Sequence, residues 1–249
     1  MNGDEDRSMP NAMEQPQYLR IADHIEQRLR AGTLARDGRL PAERLLGEEY
    51  ATSRVTLREA LLQLEMRGLL YRQDRRGWFV TPPRLRLNPT EPTNFHEIVR
   101  RQGGQPETRL IEQLCINVPA ALARQLEVGP LAQVYLLKRL RHANGRALCY
   151  CENYCLPERV PGLLEQDLNG SLTELYARVY QLHYHHMRLL FQPTALSEPV
   201  ARHLGATPGL PALRLERLNL DRDGRPIDID IEIWRHDSLE IEVFTRDVG

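Results

Sequence analysis

Residues 123–140, ARQLEVGPLAQVYLLKRL, align without a gap on residues 201–218, ARHLGATPGLPALRLERL. The copies share an opening Ala-Arg-x-Leu, a proline at the same offset and a closing Leu-x-Arg-Leu. Each is followed by a tight-turn dipeptide, Asn144-Gly145 in one and Asp223-Gly224 in the other, between stretches of strand-forming residues. Each copy therefore reads as the end of a helix, a loop and a two-stranded antiparallel ribbon. Two such ribbons bury their apolar sides by joining one antiparallel sheet covered by helices, which makes the region α+β. Helices are expected at about 94–103, 119–126, 171–180 and 197–204.

Side-chain alternation sharpens this reading. The stretch IDIDIEIW puts Ile227, Ile229, Ile231 and Ile233 on one face and Asp228, Asp230, Glu232 and Trp234 on the other. With Asn144-Gly145 as a two-residue turn, Arg139 is expected opposite Tyr150 and Arg141 opposite Leu148. Arg139, Arg141, Tyr150 and Glu152 then share a face, with Cys149 and Cys151 on the other. The periodicity is met equally by a solvated outer face and by a binding face.

The N-terminal third has a different period. Tyr18, Ile21, Ile25 and Leu29 recur at helical spacing and Gly32 stops the run. Pro41 opens a short helix holding Leu45 and Leu46. Ser53 suits an N-cap, Leu57, Ala60, Leu61 and Leu64 form an apolar stripe, and Gly68 ends the helix. LLYRQ and WFVTP flank a turn with Gly77 and read as a hairpin. Three helices and a hairpin make a winged helix-turn-helix, whose second paired helix sends its leading residues into the major groove. Here those residues are Ser53, Arg54, Thr56 and Arg58. Arg54 and Arg58 share a helix face, and the free amides of the first turn favour phosphate.

Charge agrees with this placement. The chain is nearly neutral, 33 basic against 34 acidic residues, yet six arginines and one acid lie between Arg67 and Arg86. Such a local patch serves phosphate binding, although a solvated loop has the same composition.

The segment LPAERLLGEEYATSRVTLREALLQLEMRGLL, followed by RRGWFV, closely resembles the DNA-binding domain of the GntR family of bacterial transcription regulators, over residues 16–81. The resemblance implies that Arg44, Arg54, Thr56 and Arg58 contact DNA, with Ser53 and Gly77 near its backbone. The wing departs from the family pattern at Arg75 and Trp78, which leaves its contribution open. Residues 82–93, with Pro82, Pro83, Pro89 and Pro92, read as a stiff extended linker with no element of its own.

Residues 94–249 form the second expected domain. Its RQGGQPETR, LKRLR, ENYCLPE, GSLTELYARVY and DGRPIDIDIEIWRHD segments resemble the UTRA effector domain of the HutC subgroup. This implies a chorismate-lyase-like fold that binds a small metabolite and assists homodimer formation. Carried over by position, the effector set is Arg139, Arg141, Glu152, Ser171, Asp228 and Trp234, with Thr108 a further member. Thr173, where relatives often have tyrosine, and His236, within an Arg-Gly-Asp pattern, depart from the family. Paired guanidiniums suit a phosphate, phosphonate or carboxylate, and Glu152 and Asp228 an ammonium or hydroxyls. GWFVTPPRLRLNP also resembles regulators beside phosphonate-use genes.

Other classes are less well served. No uncharged apolar run approaches the ~20 residues of a membrane span. Residues 1–15 are acidic and polar, lack an apolar signal core and read as a disordered leader. Four cysteines in a chain this size point to a reducing cytoplasm. A metal or thiol sensor using His183, His185, His186 and the Cys149, Cys151 and Cys155 cluster is one alternative, though the spacing matches no zinc pattern. A lyase-like enzyme is another, without a phosphate loop or nucleophile elbow to support it. The expectation is a cytoplasmic, homodimeric repressor that binds double-stranded operator DNA, takes a small anionic effector and needs no cofactor.

Overall fold

The computed structural model describes residues 15–35, 37–73, 75–91 and 94–243. Apart from Gln15, the expected leader lies outside these residues, as do Asp74 and Pro92. The chain divides into two compact units, Met1–Thr81 and Pro82–Gly249.

The first unit holds α1 (Gln17–Arg30), α2 (Glu43–Glu49), α3 (Arg54–Met66), β1 (Leu70–Gln73) and β2 (Gly77–Val80). Ser53 caps α3 by accepting from the Thr56 amide at 3.1 Å. Past Gly68, at φ 73°, the Leu69 amide returns to the Leu64 carbonyl at 3.0 Å, which closes the helix end. Ile25, Leu46, Leu57, Leu61, Leu64 and Leu70 are fully buried in one core. β1 and β2 pair antiparallel, and the segment before α2 joins them through Leu40 N–H to Trp78 O at 2.9 Å.

The second unit is built on six strands: β4 (Pro106–Asn117), β5 (Gln133–Ala143), β6 (Arg146–Cys155), β7 (His186–Ala195), β8 (Pro211–Leu220) and β9 (Pro226–Arg235). All neighbours are antiparallel, in the order β4-β5-β6-β9-β8-β7. The internal repeat explains this order. Its copies become β5 and β8, each second from an edge, with the following strands β6 and β9 paired at the centre. Helices α5 (Ala120–Ala123) and α7 (Glu198–Leu204) precede the equivalent strands. Their residues join the cores on the face of Ile229, Ile231 and Ile233. The other face is covered by α4 (Phe95–Arg101), by α6 (Leu172–Leu175) with the π-turn Tyr176–Tyr180, and by a strand pair. The chain is thus α+β, and its helices begin within a residue or two of the expected positions. The helix expected at 171–180 is broken into an α turn and a π turn, ending at Gln181 with φ 51°.

Two expectations need correction. Residues 82–93 are not a plain connector. Within them β3 (Leu85–Leu87) pairs in parallel with β10 (Leu239–Ile241), and the Leu85 amide donates to Ser238 O at 2.9 Å. The alternation Leu-Arg-Leu makes this possible, because both leucines turn inward, each 8% exposed, while Arg86 stays outside.

The second correction concerns register. The turn is a two-residue turn, since Ala143 pairs with Arg146. A bulge then shifts the pairing between Arg141 and His142, so Arg139 pairs with Cys151 and Arg141 with Cys149. One extra residue, Leu148, moves every later side chain of β6 to the opposite face. Arg139, Arg141, Cys149, Cys151, Asn153 and Cys155 therefore share a face with Asp228, Asp230, Glu232 and Trp234. Tyr150 and Glu152 lie on the other.

Candidate nucleic-acid interface and ligand pocket

The buried leucines of α3 leave its leading turn outside. Ser53, Arg54 and Arg58 are exposed and Thr56 is half-buried. Ser53 Oγ also lies 2.9 Å from Thr56 Oγ1, so the two hydroxyls form one small polar platform. Among the described residues neither Arg54 nor Arg58 has a carboxylate within ion-pair distance. Arg44 does, as it donates to Glu48 Oε1 at 2.6 Å, but both partners are largely exposed. A pair of this kind contributes little and exchanges readily for a phosphate. Arg44 and Arg54 line one open depression beside Gly47 and Thr52.

The wing is clarified. Trp78 is 3% exposed and donates from Nε1 to Glu43 Oε1 at 3.0 Å, so it belongs to the core and braces the start of α2. Arg72, Arg75 and Arg76 remain exposed around Gly77, whose φ of 96° suits glycine. The Arg76 guanidinium sits 5.4 Å from the Phe79 ring centre.

In the second unit a cavity of about 30 Å³ lies between the charged sheet face, the first turn of α4 and the Gly170-Ser171 turn. Arg139, Arg141, Arg217, Asp230, His96 and Ser171 are among its lining residues. The three arginines are compensated differently. Arg141 donates to Glu232 Oε1 at 2.7 Å and Arg217 reaches the same oxygen at 3.1 Å. Trp234 Nε1 donates to the other oxygen at 2.7 Å. Burial pushes Glu232 up, but these two guanidiniums and the indole outweigh it and hold the carboxyl at about 2.

Arg139 differs. It is 2% exposed and donates to neutral acceptors, Asn153 Oδ1 at 2.8 Å and Gly170 O at 2.9 Å. No carboxylate among the described residues lies within ion-pair distance. Burial, followed by the like charge of Arg141, lowers its affinity for its proton. Asp230 opposes its charge only indirectly, through the Asn153 that both contact, and a buried cation without a direct ion pair carries a large desolvation cost.

Behind Asp230 lies Asp228. Asn219 Nδ2 donates to both, at 2.7 Å to Asp228 and 3.3 Å to Asp230, and Asn153 also donates to Asp230. Tyr184 OH donates to Asp228 Oδ2 at 2.7 Å. Burial, then repulsion from Asp230, pushes Asp228 up to about 7.

The sequence-predicted set is thus partly assembled. Thr108, Arg139, Arg141 and Ser171 line the cavity, with Thr108 Oγ1 2.8 Å from His96 Nε2 and Ser171 Oγ accepting from the Glu174 amide at 3.3 Å. Asp228 and Trp234 sit just behind it. Glu152 does not belong, because on the opposite face it accepts from Tyr150 OH at 3.2 Å and Tyr154 OH at 2.8 Å. Sequence reasoning missed His96, Asn153, Tyr184, Arg217 and Asp230. Arg217 had a signal, since it occupies in the second repeat the place of Arg139 in the first.

The bulge also brings Cys149 and Cys151 onto the arginine face, their sulfurs 3.4 Å apart. Burial pushes the Cys149 and Cys155 thiols well up, away from reactive thiolate. Among the described residues no three His, Cys, Asp or Glu side chains are grouped to hold a metal ion. Among them, too, no helix is long and apolar enough to cross a membrane.

A winged helix with free arginines on its leading turn, joined to a sheet domain with a buried polar pocket, defines a DNA-binding regulator. Residues 17–80 match the bacterial regulatory proteins of the gntR family, and residues 101–240 match the UTRA domain. The chain is 33% identical over 220 residues to the uncharacterized HTH-type transcriptional regulator YihL of Escherichia coli K12, covering 88% of this chain and 93% of the relative. It is 28% identical to the HTH-type transcriptional repressor NagR of Bacillus subtilis 168, covering 89% and 91%. The crystal structure of PhnF from Mycobacterium smegmatis shares the fold, with a TM-score of 0.64 and 24% identity over 91% of this chain and 99% of that one. The protein belongs to the GntR family of transcription regulators, in the branch that carries a UTRA domain.

Proposed function

We propose that this protein is a cytoplasmic, homodimeric, ligand-released repressor. Each protomer places α3 in the major groove of one operator half-site, the two sites lying about one helical turn apart. Arg44, Arg54, Thr56 and Arg58 contact the DNA, with Ser53 and Gly77 near its backbone. What supports this half is the exposure of Arg54 and Arg58 on a helix whose opposite side is fully anchored.

The effector half rests on one observation: Arg139 is buried with no direct ion pair among the described residues, beside an α-helical first turn capped by Ser171. An anion bound there supplies the missing charge by bidentate hydrogen bonding. The effector is thus a small phosphate, phosphonate or carboxylate, held by Arg139, Arg141, Thr108 and Ser171, with Arg217 and His96 added. Asp228 and Trp234 position this set from behind. A cavity of about 30 Å³ admits only two or three waters by the ~10–15 Å³ each needs, so binding opens it. Phe95 and His96 begin α4, a few residues after the β3 segment leading from the winged helix, so opening alters that connection. By linkage, operator DNA weakens effector binding by the same factor.

Isothermal titration with aminoalkylphosphonates, hexosamine phosphates and imidazole catabolites tests the effector. Heat with one of them, absent in Arg139→Ala, is expected. Silence from all of them removes the anionic-effector reading.

A further inference from the structure

Among the described residues, the most exposed large apolar side chain of the first unit is Val55, at 69%, ahead of Met66 at 51% and Leu45 at 47%. Single exposed apolar residues are ordinary on protein surfaces. Position sets this one apart. Val55 is the second residue of α3, between Arg54 and Thr56 and one turn before Arg58. At 3.6 residues per turn it points away from Leu57, Leu61 and Leu64, all fully buried. A β-branched side chain gains nothing there from helix propensity or from packing.

Given the DNA-binding role proposed for α3, Val55 meets base edges. The one apolar group that B-DNA presents in its major groove is the thymine C5-methyl. We infer that Val55 is a specificity-determining residue that packs against a thymine methyl in each operator half-site. Spacing locates the base. Side chains three apart on a helix have Cβ atoms about 5–6 Å apart, and successive base pairs rise about 3.4 Å. The thymine therefore lies one or two base pairs from the base that Arg58 contacts. The inference rests on the DNA-binding reading and adds a base identity to it.

The test uses the full-length protein and an operator selected from a random duplex library. Each thymine of one half-site is replaced singly by deoxyuridine, which removes the methyl and leaves every hydrogen-bonding group. One replacement is expected to weaken binding about three- to tenfold, the scale of losing one buried methyl contact. With Val55→Ala that same replacement should have a clearly smaller effect, since alanine keeps only one methyl to meet the thymine. Val55 is exposed, and alanine raises helix propensity, so the variant keeps its fold. The inference is overturned if no replacement matters, or if the loss is as large in Val55→Ala as in the native protein. Failure to enrich any sequence is a different result and removes the DNA-binding reading itself.

Discussion

Arg58 and Arg139 carry the same guanidinium under opposite conditions. Arg58 stands in solvent on α3, where leaving it unpaired costs almost nothing. Arg139 is closed inside the second unit, where an unpaired charge is expensive. On the outside, function is carried by groups the fold leaves free. On the inside, it is carried by a group the fold cannot fully satisfy. Arg141 and Arg217 make the contrast clearer, since their side chains, 9% and 16% exposed, both pair directly with the one carboxylate of Glu232.

Removing that neutralisation should have the largest effect. Glu232→Gln leaves the buried Arg141 and the partly buried Arg217 without that carboxylate and is expected to cost about 3–5 kcal/mol in urea unfolding. An unchanged midpoint would mean that the arginines find other partners. On the outer side, Arg54→Ala and Arg58→Ala should each weaken operator binding by about 1–3 kcal/mol in fluorescence titration, with stability held within about 0.5 kcal/mol. A folding defect in either would make that arginine a structural residue.

Arg139→Ala should leave operator binding intact in mobility shifts while abolishing release by effector. Collapse of the fold instead would make Arg139 a structural residue. Asp228 offers a pH handle. Its folded value of about 7 lies above the 3.8 of an ordinary aspartate, so the native state binds more protons than the unfolded chain between those values. This contribution is complete below about pH 4 and is lost as pH rises toward 7. Asp228→Asn should flatten the fall in melting temperature over that window, and a fall as steep as in the native protein would reassign the proton. The smallest effect belongs to Glu48→Gln, which frees Arg44 from a surface pair and should shift stability by only about 0.3–0.5 kcal/mol.

Legibility in the sequence followed locality. The cap at Ser53, the stripe Leu57-Leu61-Leu64 and the stop at Gly68 all act within one helix, so the winged unit could be read from its residues. The internal repeat disclosed two ribbons joined in one antiparallel sheet, and the strand order came from the structure. What went astray was parity. A bulge at Leu148, invisible to alternation rules, sent Glu152 to the wrong face and hid Asn153. Trp78 looked like an altered wing tip and proved to be core, because its hydrogen bond reaches 35 residues back to Glu43. Residues 85–87 looked like linker because their partner strand lies about 150 residues away.

By itself the sequence determined the two-unit plan, the helices and turns, the repeat behind the sheet and the arginines that face outward. These depend on interactions between near neighbours or on a period that can be counted. Only the tertiary structure decided which arginines are neutralised, which carboxylates meet them, and which face of β6 turns toward the pocket. Such choices depend on contacts between distant segments, and in a strand a single inserted residue reverses them.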